Sequence, residues 1–228
     1  MNCGSNVHDL FTNVSIQYSK KLSESINSLK LENALKPRGK FFYTYLILDA
    51  NLLYKLIKRF DTNGLCNLIP KEITMEDQDL FRKLILYIGK GCNDRKFMHL
   101  IEAKLSKIAG IWESENGVVL LQICNDSDHY ISLFRENAMI KAVGNTLTNI
   151  LNGSIYGLMK DEWTTTEILN FGEMLLYFAF KQCILERPTI IYADNVRKRL
   201  PTKVFEPKKY FIKSNYELNG ILDYFLDL

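Results

Sequence analysis

Leu84 to His99, LILYIGKGCNDRKFMH, is the stretch whose reading decides the fold. An apolar, β-like run from Leu84 ends in Tyr87-Ile88-Gly89, and Lys90-Gly91 follows as a basic, glycine-containing turn. The chain then enters a helix, expected over Asp94 to Ile108. That helix carries Arg95 and His99 at i, i+4 spacing, hence on one face. Strand, basic turn and an Arg/His helix together suit a phosphodiester. The GxxxxGK[ST] pattern is missing, which excludes a P-loop, and Gly89 and Gly91 do not extend into GxGxxG.

Working outward, the pattern alternates helices with short apolar strands. Apolar residues recur at three-to-four spacing from His8 to Leu35, and Pro37-Arg38-Gly39 ends that helix. Phe41 to Leu48 reads as a strand, and Ala50 to Phe60 as helical. The stretch over 50–82 is expected to be an insertion between neighbouring strands. Gly117 to Cys124, GVVLLQIC, is continuous enough to be a strand buried on both faces. A helix follows over Asp126 to Val143, begun by an Asp/Ser cap, and another over Thr164 to Cys183 with Thr164-x-x-Glu167 as its capping box. Thr189 to Tyr192 is a short β-like run. The expected organisation is a helical segment over 1–38, a core over 39–160, and a helical extension with a basic tail over 161–228.

Bulk properties exclude more than they identify. The 228 residues are 47% apolar and 24% charged with a net charge of +3, an ordinary globular balance. Basic residues nonetheless cluster from Arg197 to Lys213, where Arg197, Lys198, Arg199, Lys203, Lys208, Lys209 and Lys213 face one acid, Glu206. Such a run is either solvated surface or a phosphate contact. Five scattered cysteines without CxxC spacing imply neither a disulfide framework nor a zinc site. The amino terminus is too polar for a signal peptide, and no apolar run is expected to approach the ~20 residues of a membrane span. The chain therefore reads as soluble and intracellular, nuclear or cytoplasmic.

Several side chains carry chemistry in this arrangement. Glu136 lies on or beside an apolar stripe of its helix, where an unpaired carboxylate is costly. It either forms a salt bridge, to Arg135, Lys141 or another helix, or holds a divalent cation with oxygen ligands. Arg95 suits a phosphate oxygen through its planar, always-charged fork, and His99 titrates near neutrality. Tyr43 and Tyr45 share a strand face by the period-two rule, with Tyr87 on the next strand. A phenol beside a cation takes a proton from water more readily.

In their order along the chain, these residues resemble the GIY-YIG nuclease family. Tyr43-Thr44-Tyr45 stands where the first motif belongs, with Tyr45 in the tyrosine place and Tyr43 in that of its glycine. Tyr87-Ile88-Gly89 is the second motif verbatim; Arg95 follows in a helix, Glu136 in the helix after the third strand, and Asn149 thirteen residues later. YIGKG, RENAMIKAVG, LTN at 147–149 and GSIYG at 153–157 resemble the ankyrin-and-LEM-domain endonuclease branch. That resemblance runs from Phe41 to Asn195, without the ankyrin TPLHxA signature.

The resemblance implies an α/β (α+β) fold with a three-stranded mixed sheet flanked by helices, and metal-dependent hydrolysis of duplex or branched DNA, as in DNA repair. Glu136 is expected to hold one Mg²⁺ or Mn²⁺, and Arg95 to brace the scissile phosphate. Tyr45 or Tyr87 is expected to position or deprotonate the attacking water, assisted by His99 or Lys90. Asn149 is expected to tie its loop beside the metal helix, and Gly89 to support the site with Tyr43. Lys90, Arg95, Arg197, Lys198 and Arg199 are the expected DNA contacts, with no membrane and no small-molecule substrate. The alternative is a catalytically silent nucleic-acid-binding or scaffold module on the same fold.

Overall fold

A computed structural model describes residues 7–28, 42–61, 72–92, 96–97, 100, 106–126, 129–144 and 162–197. The elements in chain order are α1 (Val7–Ser28), β1 (Phe42–Asp49), α2 (Ala50–Ile57), α3 (Met75–Lys83) and β2 (Ile85–Cys92). They continue with α4 (Ser106–Glu113), β3 (Val118–Asp126), α5 (His129–Val143), α6 (Thr165–Glu186), β4 (Ile190–Ile191) and α7 (Ala193–Arg197). The α/β class stands, with helices on both faces of one sheet.

That sheet has the order β2-β1-β3-β4 with every pairing antiparallel, so the three-stranded mixed sheet expected above is corrected in count and direction. The fourth strand is the short run after α6, which pairs Ile191 and Ile190 with Val118 and Val119. β1 is central, and its Phe42 to Leu48 are all buried, because alternate side chains face two different apolar layers. Leu46 and Leu48 enter the larger layer, built with α1, α2, α3, α5 and α6. Tyr43, Tyr45 and Ile47 enter a smaller one with Leu86, Leu100 and Ile108.

Local sequence explains most boundaries. Asp49 caps α2 by accepting from the Leu52 N–H at 3.0 Å. The Thr164/Glu167 capping box of α6 forms in both directions, at 3.2 and 2.8 Å. This helix runs three residues past the expected end at Cys183. It stops at Arg187, which takes a left-handed conformation (φ 50°) before Pro188, a residue that disfavours helix in its predecessor. α3 went unforeseen, although Thr74 and Asp77 form a second capping box at its start.

Two further corrections bear on the site. Lys90-Gly91 is not a turn: β2 runs on to Cys92, pairing Thr44 with Lys90 and Tyr43 with Gly91. Asp126 ends β3 instead of opening the next helix, which begins at His129. Of the helix expected over Asp94 to Ile108, Lys96, Phe97 and Leu100 have helical backbone and Ser106 to Ile108 lie in α4, which ends at Glu113; the remaining residues lie outside those described.

By length and composition α6 could cross a membrane, contrary to the expectation that no run approaches that size, but two thirds of its most apolar window is buried in the protein. It is apolar all round because α1, α3, α5 and β3 surround it. Its closest approach is to α5, where Gly172 faces the Ala138 backbone with no room for a Cβ.

Candidate active site

The site is assembled where α5 crosses the edge strand β2. His129, Ser132 and Glu136 are spaced i, i+3, i+7, so one stripe of α5 faces the sheet. Each of the three makes a bond there. The Thr44 hydroxyl in β1 donates to the Ser132 carbonyl at 3.4 Å. The Lys90 ammonium donates to the His129 ring, whose Nδ1 and Nε2 lie 2.8 and 3.1 Å away. The Lys90 backbone N–H donates to Glu136 Oε1 at 3.1 Å. Gly144 (φ 81°) ends the helix with its N–H on the Ile140 carbonyl, a left-handed cap that suits glycine.

The tyrosines stand on the opposite side of the same strands. Tyr45 pairs across the sheet with Gly89, and Ile47 with Tyr87. The ring of Tyr45 lies 5.8 Å from that of Tyr43 and 6.1 Å from that of Tyr87. A Cβ on Gly89 would stand 2.6 Å from Tyr87 Cε1 and 2.7 Å from the Tyr45 hydroxyl. The glycine is thus required by space, because two phenol rings cover it. Only three covalent bonds separate that Cβ position from the Lys90 nitrogen that holds Glu136. Strand alternation sends the Lys90 side chain to the α5 face while the tyrosines cover the other, and the Glu136 carboxylate meets the backbone at the strand edge between them.

A third group joins the tyrosine face. The Tyr43 hydroxyl accepts from the Lys96 backbone N–H at 3.1 Å. The Lys96 side chain is buried; its ammonium lies 4.9 Å over the Tyr43 ring and 5.5 Å over that of Phe97, and it donates to Gln122 Oε1. Gln122 is the β3 partner of Tyr45.

The structure therefore brings Tyr43, Tyr45, Tyr87, Gly89, Lys90 and Glu136 around one strand, β2. Arg95, His99, Asn149, Lys198 and Arg199 lie outside the described residues, as do the GSIYG segment and the Arg197 side chain. Lys96, Gln122 and His129 were missed by sequence reading. Lys96 adjoins Arg95, a faint signal; nothing local marks a lysine for burial or pairs His129 with Lys90 across 39 positions. Among the described residues no three His, Cys, Asp or Glu side chains cluster as a metal cage. The half-buried Glu136 carboxylate would suit Mg²⁺ or Mn²⁺, which take one or two carboxylates and keep their waters, better than zinc.

Residues 42–198, more than half of the chain, match the model of the LEM-3-like GIY-YIG domain. The chain belongs to that family. The GIY-YIG assignment makes this a nuclease-type domain, with Tyr43-Thr44-Tyr45 on β1 and Tyr87-Ile88-Gly89 on the neighbouring β2. Among curated proteins, the human Ankyrin repeat and LEM domain-containing protein 1 is 28% identical over 177 residues, and its mouse counterpart 26% identical over 174 residues. Each alignment covers 70% of this chain but only 27% of the human and 31% of the mouse protein. No solved structure gives a significant match.

Proposed function

We propose that this GIY-YIG domain is a divalent-metal-dependent endonuclease that hydrolyses phosphodiester bonds of duplex or branched DNA, selecting its substrate by structure. The observation that carries the reading is the Glu136 carboxylate held on the backbone of the Tyr87-Ile88-Gly89-Lys90 strand, beside the phenols packed over Gly89.

Glu136 holds one Mg²⁺ or Mn²⁺, which when bound supplies Lewis-acid polarisation of the phosphate. The Lys90 N–H orients the carboxylate for that task. Arg95 braces the scissile phosphate and meets the charge that develops on its oxygens. Tyr45 or Tyr87 positions the attacking water and accepts its proton, with His99 or Lys90 assisting. Water oxygen then replaces a sugar oxygen on phosphorus. Asn149 ties the loop beyond α5, and Arg197, Lys198 and Arg199 contact the DNA backbone. The names of the human and mouse relatives add no substrate to this reading.

Supercoiled plasmid and a branched duplex, each incubated with the protein in Mg²⁺, Mn²⁺ or EDTA, test it. Cleavage of both in Mg²⁺ or Mn²⁺, with preference for the branched duplex, is expected. It should cease in EDTA and in the Glu136→Gln and Arg95→Ala variants. Metal-dependent cleavage that survives both substitutions would overturn the site; binding without cleavage under every condition would favour the silent scaffold. Binding should weaken with salt, and less steeply once Arg197, Lys198 and Arg199 are neutralised.

A further inference from the structure

Lys90 is held by α5 at two places. Its backbone N–H donates to Glu136 Oε1 at 3.1 Å, and its ammonium lies 2.8 and 3.1 Å from Nδ1 and Nε2 of His129, seven positions earlier on the same helix. An α-helix rises about 1.5 Å per residue, so about 10 Å of α5 separates the two holds. The Lys90 side chain therefore leads from the Glu136 end of this stripe towards its His129 end. That end is fixed in its turn. The His129 carbonyl accepts the Ser132 hydroxyl at 3.0 Å, and the His129 ring meets the buried Phe42 ring edge-on, with centroids 5.2 Å apart. Phe42 belongs to β1, whose Thr44 pairs with Lys90 across the sheet. A ring nitrogen, unlike a carboxylate, accepts from the ammonium without cancelling its charge. Both side chains are half-buried, so the pair stands at the protein surface rather than sealed in the core.

We infer that Lys90 and His129 form a second phosphate subsite, which takes a non-scissile phosphate of the DNA backbone while the Glu136 end of the stripe serves the scissile one. Phosphates of one strand rise about 3.4 Å each along a duplex, so about 10 Å places the subsite one to three nucleotides from the cut. Lys90 supplies the charge, and His129 is the positioning residue. A lysine stem is flexible, and ordering it on binding costs affinity; a ring that holds the ammonium in the free protein removes much of that cost. Of the two tasks proposed for Lys90, contact with the DNA backbone is the one this geometry serves.

The subsite rests on the reading of this domain as a nuclease of DNA, and a binding scan in EDTA separates the two because it needs no cleavage. Branched duplexes with one neutral methylphosphonate at each successive backbone position are bound to the full chain, and the cut is mapped separately in Mg²⁺. One position, one to three nucleotides from the cut, should cost the wild type about threefold to tenfold in affinity and cost Lys90→Met nothing further. In His129→Ala the same position should cost less than about twofold, and His129→Gln, whose amide oxygen still accepts the ammonium, should regain the sensitivity. The slope of log affinity against log salt should flatten by about one in Lys90→Met. Equal losses for the wild type and Lys90→Met at every position overturn the subsite, even where metal-dependent cleavage is intact. Coupling at the scissile phosphate itself would place Lys90 in the chemistry and overturn it too. A coupled position in a protein that never cleaves keeps the subsite and sinks the nuclease reading; failure to bind the duplex at all removes both. Tm is recorded for each variant, and Lys90→Gln carries the scan should Lys90→Met not fold.

Discussion

Gly89→Ala is the substitution for which the structure makes the sharpest statement. The new methyl would stand 2.6 Å from Tyr87 Cε1 and 2.7 Å from both Cζ and the hydroxyl of Tyr45. Carbon atoms in contact sit about 3.5–4.0 Å apart, so the rings must retreat by roughly 1 Å. Tyr45 has no exposed surface and is flanked by Tyr43 and Tyr87, so its retreat displaces the whole row, whereas half-buried Tyr87 yields more easily. Overpacking of this kind costs about 1–3 kcal/mol, partly offset by the roughly 0.5–1 kcal/mol that alanine gains over glycine within a strand. A net loss of about 0–2.5 kcal/mol follows, or a fall in Tm of up to roughly 10 °C for a chain of this size. From a typical total of 5–15 kcal/mol, the unfolded fraction at 25 °C stays below about 2%, so unfolding cannot explain lost activity. A 1 Å displacement of catalytic groups costs up to about 100-fold in rate. Gly89→Ala should therefore lower single-turnover cleavage by about 10–100-fold while the far-ultraviolet circular dichroism is unchanged. A variant with wild-type rate and wild-type Tm would refute the argument that the phenols need the space over Gly89.

Gly172→Ala tests the helical layer instead. Its Cβ would stand 2.6 Å from the Ala138 carbonyl carbon and 2.9 Å from Ala142 Cβ, and backbone cannot give way as a side chain can. A loss of about 2 kcal/mol or more after the gain in helix propensity is expected in denaturant melts, and an unchanged midpoint would contradict the close crossing. His129→Ala removes an acceptor of the Lys90 ammonium. Cleavage should fall about threefold to tenfold, as in Lys90→Met, with no further loss in the double variant; additive losses would show that the two act separately. The Lys21 ammonium beside Glu167, and next the Thr164 N–H, hold the Glu167 carboxyl below its ordinary value of 4.5. A depressed folded pKa gives stability that is fully present above 4.5 and is lost as the pH falls through the lower folded value. Glu167→Gln should thus flatten the fall in Tm between pH 5 and pH 3, and an acid limb as steep as wild type would exclude that contribution.

Sequence by itself determined what depends on neighbours along the chain. Three-to-four spacing of apolar residues locates α1, and short apolar runs locate β1, β2 and β3, because a strand buried on both faces needs apolar side chains at successive positions. Thr164 and Glu167 mark the start of α6 because a cap is satisfied within four residues. The spaced residues Tyr45, Tyr87, Gly89 and Glu136 were legible as candidates for the same reason: motif order is a property of the chain. Only tertiary structure decided the rest. Lys90-Gly91 looks like a turn in isolation, yet it pairs with Thr44 and Tyr43, and glycine in a strand is tolerated where large side chains close over it. The burial of Lys96 and the meeting of His129 with Lys90 depend on contacts between residues 26 and 39 positions apart, invisible to any local pattern. The direction of the sheet was likewise settled by how helices return each strand to its neighbour. The motif order marks the phenols and the carboxylate as candidates; the edge of β2, where Glu136 meets the Lys90 N–H, brings them to one strand.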